Sequence, residues 1–143
     1  MGFEYFEIER VEKLSKKEFI ENYYKPQRPV VITNQIDDWP AFSKWNFDYL
    51  REVAGDKNVP LYDGRKTDYT KKVNEPDFTM TMSEYIDILE KGPTDLRIFL
   101  YNLMKEVPQM KSEMKWPNLG IKLLKSLPLV FFGGQGAKVF MHY

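Results

Sequence analysis

Prolines and helix-capping signals follow one another so closely along this chain that no element can run long. Nine prolines are spread over 143 residues, and each disfavours helical angles at the residue before it. Ser15-Lys16-Lys17-Glu18 is a capping box, in which the serine hydroxyl accepts backbone N–H bonds and the glutamate reaches back. It predicts a helix to about Tyr24 with Phe19, Ile20 and Tyr23 on one face, ended by Pro26 and Pro29. Asn46 caps a second helix over 47–54, and Gly55 is expected to close it as the C′ residue. Thr81-Met82-Ser83-Glu84 is a second capping box, for a helix with Tyr85, Ile86 and Leu89 as its apolar face, up to Gly92.

The segments between these helices read as strands and turns. Pro29–Thr33 is a β-branched run expected to be a buried strand. Asp37–Ala41 reads as a turn, 59–62 as a short strand and 64–76 as a polar, net basic, exposed loop. Residues 97–101 form a further strand, after which Pro108 and Pro117 cut the chain into short pieces and Leu119–Ser126 makes a helical turn or two. Leu129–Phe132 and Ala137–Tyr143 pair as a hairpin around Gly133-Gly134-Gln135-Gly136. The pattern is α+β in a single domain, 1–143, with strand character gathering at the end. The aromatic content of 15% favours strands and large core side chains over a plain bundle.

Composition excludes several functions. Lys+Arg and Asp+Glu both number 21, so no global field draws the chain to nucleic acid or to an anionic membrane. Cysteine is absent, which rules out disulfides and thiolate metal sites. The N-terminal residues are charged throughout and no apolar run approaches the ~20 residues of a membrane span. The expectation is a cytoplasmic protein.

Few motifs carry chemistry. The glycines at 133–136 lack G-x-G-x-x-G spacing and a closing Lys-Ser/Thr pair, so their role is to allow a turn with positive φ. No G-x-S-x-G elbow presents a nucleophile, and Asp37-Asp38 are adjacent and would point apart on extended backbone. That leaves His142, the only histidine. A lone histidine on an apolar strand is ordinarily a packing residue. As a metal ligand it needs two or more partners, and the natural strand arrangement is His-x-carboxylate, since residues i and i+2 share a face. Tyr143 supplies the x, and the carboxylate would be residue 144.

The segments Tyr24–Ile32, Trp39-Pro40-Ala41, Phe47–Gly55, Met82–Leu89, 97–101 and LVFFGGQGAKVFMHY, taken in order, resemble the N-terminal half of the cupin-like JmjC family. These are the hydroxylases similar to the factor-inhibiting-HIF asparaginyl hydroxylase. The resemblance implies a helical N-terminal shell followed by the first strands of a double-stranded β-helix, apparently truncated. It further implies Fe(II) and 2-oxoglutarate as cofactors, with His142 as the first iron ligand. Val139 falls where many relatives carry a cosubstrate-bonding threonine. Phe99 falls where those relatives place a tyrosine, and Tyr101 lies two residues on, hence on the same face of the expected strand. One imidazole does not hold Fe(II) selectively, so these 143 residues alone are expected to be inactive.

The reading is then the N-terminal part of an Fe(II)/2-oxoglutarate-dependent oxygenase that hydroxylates protein. The alternative is a non-catalytic interaction or small-molecule-binding module. The last strand is expected to be an edge through which the chain pairs with another copy, unless it is a piece of a longer product or poorly soluble.

Overall fold

The computed structural model describes residues 6–65, 70–72, 75–99, 101–115, 118–120 and 129–137. They form a mixed helix-and-sheet structure that condenses into two units, Met1–Ser43 with Glu113–Ser126, and Lys44–Ser112 with Leu127–Tyr143.

In the first unit, β1 (Glu9–Glu12) pairs in parallel with β2 (Val30–Thr33), Glu9 opposite Val30 and Glu12 opposite Thr33. Parallel neighbours need a crossover, and the capped helix supplies it. The Ser15 hydroxyl accepts from the Glu18 N–H at 3.3 Å, and the Glu18 carboxylate accepts from the Ser15 N–H at 3.0 Å. The expected single helix to Tyr24 is real but changes pitch. After α1 (Lys16–Phe19), residues Ile20–Tyr24 are π-helical, and the Lys25 N–H reaches back five residues to the Ile20 carbonyl at 3.0 Å. Tyr23 is the buried residue of that turn. The Arg28 guanidinium lies 6.0 Å from its ring centre and 3.3 Å from Glu9.

Two expectations in this unit need correction. β2 is half-buried throughout rather than buried, because its only described partner strand, β1, is largely exposed. The turn expected at 37–41 ends early, since Pro40 begins α2 (Pro40–Lys44). Proline suits the first helical position, where its missing N–H would have no partner. The Ala41 N–H donates to the Glu113 carbonyl at 3.0 Å and ties in the later segment of the same unit.

The second unit is built on an antiparallel sheet in the order β4-β3-β5-β6, from β3 (Asn58–Asp63), β4 (Phe78–Thr81), β5 (Leu96–Ile98) and β6 (Phe132–Gly133). Helix α3 (Phe47–Ala54) begins at the Asn46 cap as expected, its side chain accepting from the Tyr49 N–H at 2.8 Å. Gly55 ends it at φ −56°, a right-handed conformation, so the left-handed C′ closure does not occur. Helix α4 (Met82–Lys91) starts at the Thr81–Glu84 capping box and buries Met82, Tyr85 and Ile86, spaced i, i+3, i+4.

Arg51 of α3 bonds Asp87, Glu90 and the Ser83 carbonyl of α4. Val59, Leu61 and Ile98 of the sheet and Tyr85 of α4 have no exposed surface. Each such side chain stabilises by about 1.5–3 kcal/mol relative to exposure. The Tyr85 hydroxyl crosses to the sheet and donates to the Leu96 carbonyl at 2.9 Å.

β5 is shorter than the expected strand 97–101. Its partners run out at Ile98, and the chain then turns into the short helices α5 (Leu103–Glu106), capped by Asn102, and α6 (Gln109–Ser112). The glycine-rich connection behaves as expected, with Gly136 at φ +100° and the Ala137 N–H bonded to the Gly134 carbonyl at 3.0 Å. The second arm of that hairpin beyond Ala137, and residues 121–126 of the helical turns expected over Leu119–Ser126, lie outside the described residues. Among the described residues, no helix is long and apolar enough to cross a membrane.

Candidate functional site

Strand alternation divides the sheet of the second unit into two unlike faces. Val59, Leu61, Leu96 and Ile98 are buried, on the side to which Tyr85 of α4 is bonded. The intervening residues therefore belong to the other side. There Tyr62 stands opposite Arg97, and Arg97 stands opposite Gly133. Phe99 and Phe131, two residues from Arg97 and Gly133, extend the same face. Ring contacts agree: Tyr62 and Phe99 meet edge-to-face at 5.9 Å and 88°, and Phe99 and Phe131 at 5.9 Å and 77°. Phe99 is 39% exposed and Phe131 46%, so this aromatic wall is accessible.

Charges are layered at the end of β3. Asp63 is buried and accepts from Arg65 at its backbone N–H (3.1 Å), Nε (2.9 Å) and Nη2 (2.9 Å), a two-pronged grip. That bond, with the Asp63 charge, holds the exposed Arg65 guanidinium above its usual range. Asp77 accepts from the Asp63 N–H at 2.8 Å and from Lys71 Nζ at 2.9 Å. Asp95 and Arg97 are both largely covered, with side chains 11% and 14% exposed and 3.7 Å between Oδ1 and Nη1. Gly64 makes this packing feasible, because a Cβ there would strike the Asp95 carboxylate and come within 2.9 Å of Arg97 Nη2. Burial, and then the charge of Asp77, pushes the Tyr62 hydroxyl up.

Of the residues expected at the site, the structure describes Phe99 and Tyr101. Phe99 lines the aromatic face. It does so through its ring contacts, one residue past the end of β5 at Ile98, whereas Tyr101 lies further on, next to the Asn102 cap of α5. The i, i+2 relation of a ladder thus has no ladder to act on. Tyr101 is half-buried, and burial followed by the charge of Glu106 raises its hydroxyl. Val139 and His142 lie outside the described residues. Tyr62, Arg97 and Phe131 were not singled out from sequence. Alternation would have found them once the pairing of Tyr62 with Arg97 was known.

A family model described as the cupin-like domain matches residues 15–143. This chain belongs to the cupin-like domain family, in its JmjC branch. Lysine-specific demethylase 8 of Xenopus tropicalis is 32% identical over 109 residues, 73% of this chain and 23% of that protein. Lysine-specific demethylase JMJ30 of Arabidopsis thaliana is 52% identical over 60 residues, 39% of this chain and 14% of the relative. The human bifunctional peptidase and (3S)-lysyl hydroxylase JMJD7 is 27% identical, with 87% of this chain and 44% of that protein covered. The chain therefore spans less than half the length of each of these relatives.

Members of the JmjC branch generally use Fe(II) and 2-oxoglutarate, and the described residues of this chain bear on the two unequally. Among the described residues no three histidine or carboxylate side chains converge, and the single imidazole of the sequence is His142. These residues do not themselves assemble an iron site. A dicarboxylate cosubstrate fits better. The aromatic face carries a guanidinium, from Arg97, and a phenol, from Tyr62, across one ladder position. A guanidinium and a phenol are donors of the kind that carboxylate oxygens accept.

Proposed function

We propose that this cupin-like chain is part of an Fe(II)- and 2-oxoglutarate-dependent oxygenase that hydroxylates protein. The observation that carries the reading is the family match across 15–143. The aromatic sheet face, on which Phe99 and Phe131 are exposed, supports it as the side on which a substrate is received. In this reading His142 is the first iron ligand, and Phe99, Tyr101 and Val139 border the cosubstrate. The partner is a protein rather than nucleic acid or membrane, in keeping with a net charge of zero, and the protein acts in the cytoplasm. Pairing of two copies through the strand at the end of the chain belongs to the same proposal.

The test is iron-dependent conversion of 2-oxoglutarate to succinate by the product of the whole open reading frame, with lysine- and arginine-containing peptides as stimulants. Succinate formation that needs Fe(II) and rises with a peptide is the expected outcome. Absence of turnover in the full product sinks the reading. Two substitutions favour a second reading, a binding module without redox chemistry, since Phe99 and Val139 offer no donor where the resemblance places hydroxyls.

A further inference from the structure

We infer that an open groove of the first unit, along its π-helical turn, is a docking site for an acidic peptide segment that carries an aromatic side chain. The groove has a volume of about 620 Å³. Phe19, Tyr23, Tyr24 and Pro29 supply its apolar lining, and Lys25, Gln27 and Arg28 its polar lining. A turn closed by an i→i+5 bond takes up one residue more than an α turn, which brings Tyr24 round to the side of Phe19 and Tyr23. Single π turns recur at functional sites. Gln27 follows at φ +56°, a left-handed conformation that glycine adopts without steric cost. The chain carries a side-chain amide there instead, on the groove.

Charge selects the occupant. Among the described lining residues two are cationic and none is acidic. Lys25 pairs with Glu21 at 2.6 Å and Arg28 with Glu9 at 3.3 Å, and neither carboxylate lines the groove. The two cationic side chains are 61% and 62% exposed, and exposed pairs of this kind are weak. An ammonium has three donors and a guanidinium five, and each of these spends one on its glutamate. Both therefore have donors left for incoming carboxylates. Tyr24 is 57% exposed beside them, a surface that a second aromatic ring covers well. A single-stranded nucleic acid fits less well. Two cations make a short track for a phosphate backbone. The Arg28 guanidinium, 6.0 Å from the Tyr23 ring centre, also occupies the ring face on which a base would stack.

The experiment is fluorescence anisotropy of a labelled peptide of glutamates flanking phenylalanines, titrated with the product of the whole open reading frame. Wild type should bind it with an affinity that falls as salt is added. A peptide with lysines in place of the glutamates should bind poorly. Lys25→Gln/Arg28→Gln should weaken binding roughly tenfold or more, with circular dichroism as the fold check. Should that variant unfold, Tyr24→Ser alters an exposed position and should weaken binding roughly fivefold. Equal affinity in wild type and the folded variants overturns the assignment, as does a wild type that fails to bind at millimolar peptide. Tighter binding of oligouridine or of anionic vesicles than of the peptide also overturns it. So does self-association that Lys25→Gln/Arg28→Gln abolishes while the peptide stays free, since the occupant would then be a second copy. Succinate formation is no part of the readout, so the oxygenase reading and the docking site stand or fall separately.

Discussion

The hydroxyl of Tyr85 donates to the Leu96 carbonyl at 2.9 Å while its ring has no exposed surface. Burial pushes its ionisation from the usual 10.0 to about 12. Below pH 10 both folded and unfolded chains keep that proton, and the stability it contributes is fully present. Between 10 and 12 the unfolded chain releases the proton first, so unfolding gains ground as pH rises. Thermal melts should therefore decline across that window. Tyr85→Phe should lower stability by about 1 kcal/mol at neutral pH and remove part of the alkaline decline. A decline identical in variant and wild type would show that the ring is not the titrating group. Gly64 invites a second substitution. Gly64→Ala places a methyl against Asp95 and Arg97, and should lower stability in thermal melts by about 1–3 kcal/mol.

Among the elements, the capped helices were the most legible from sequence. Serine or threonine three residues before glutamate encodes a bond pair that depends on nothing distant, and both boxes formed. Strands fared worse, because a ladder needs a partner that the local sequence does not contain. β1 is Glu-Arg-Val-Glu, with three of four residues exposed, and shows no apolar alternation to notice. β4 is hidden against the cap at Thr81, which serves both strand and helix. The π-helical turn at Ile20–Tyr24 has no signature in the residues themselves. Arg97 shows the same limit at the site. A charged residue in an apolar run looks like a solvated edge until its register with Tyr62 places it among aromatics.

The caps give a test at this scale. Thr81→Ala should cost about 1 kcal/mol in chemical denaturation. Bonding to the Thr81 N–H and hydroxyl holds the Glu84 carboxyl below its ordinary 4.5. Its contribution is then present above that pH and fades as pH falls through the lowered value. The variant should lose part of the acid-side decline as well, and an unchanged acid limb would contradict the assignment.

For the whole molecule, donor count sets the expectation for metal. With one imidazole in 143 residues, Fe(II) should bind the isolated chain weakly and only through His142, since selective iron sites combine imidazoles with a carboxylate. Titration followed by dialysis checks this, and tight one-to-one retention that survives His142→Ala would contradict it.

The first unit is assembled from Met1–Ser43 and Glu113–Ser126, with the whole of Lys44–Ser112 strung between them. A ribosome delivers the chain from one end only, so the earlier of these pieces must wait, with the Ala41 amide lacking its Glu113 carbonyl, while some seventy residues are made. Those seventy include β3, β4 and β5, whose antiparallel pairing can close in the meantime. The order of birth along the chain is thus not the order of completion: β3, β4 and β5 can pair before the beginning has its Glu113 partner, their sheet gains β6 only later still, and the beginning is where a chaperone would have most to hold.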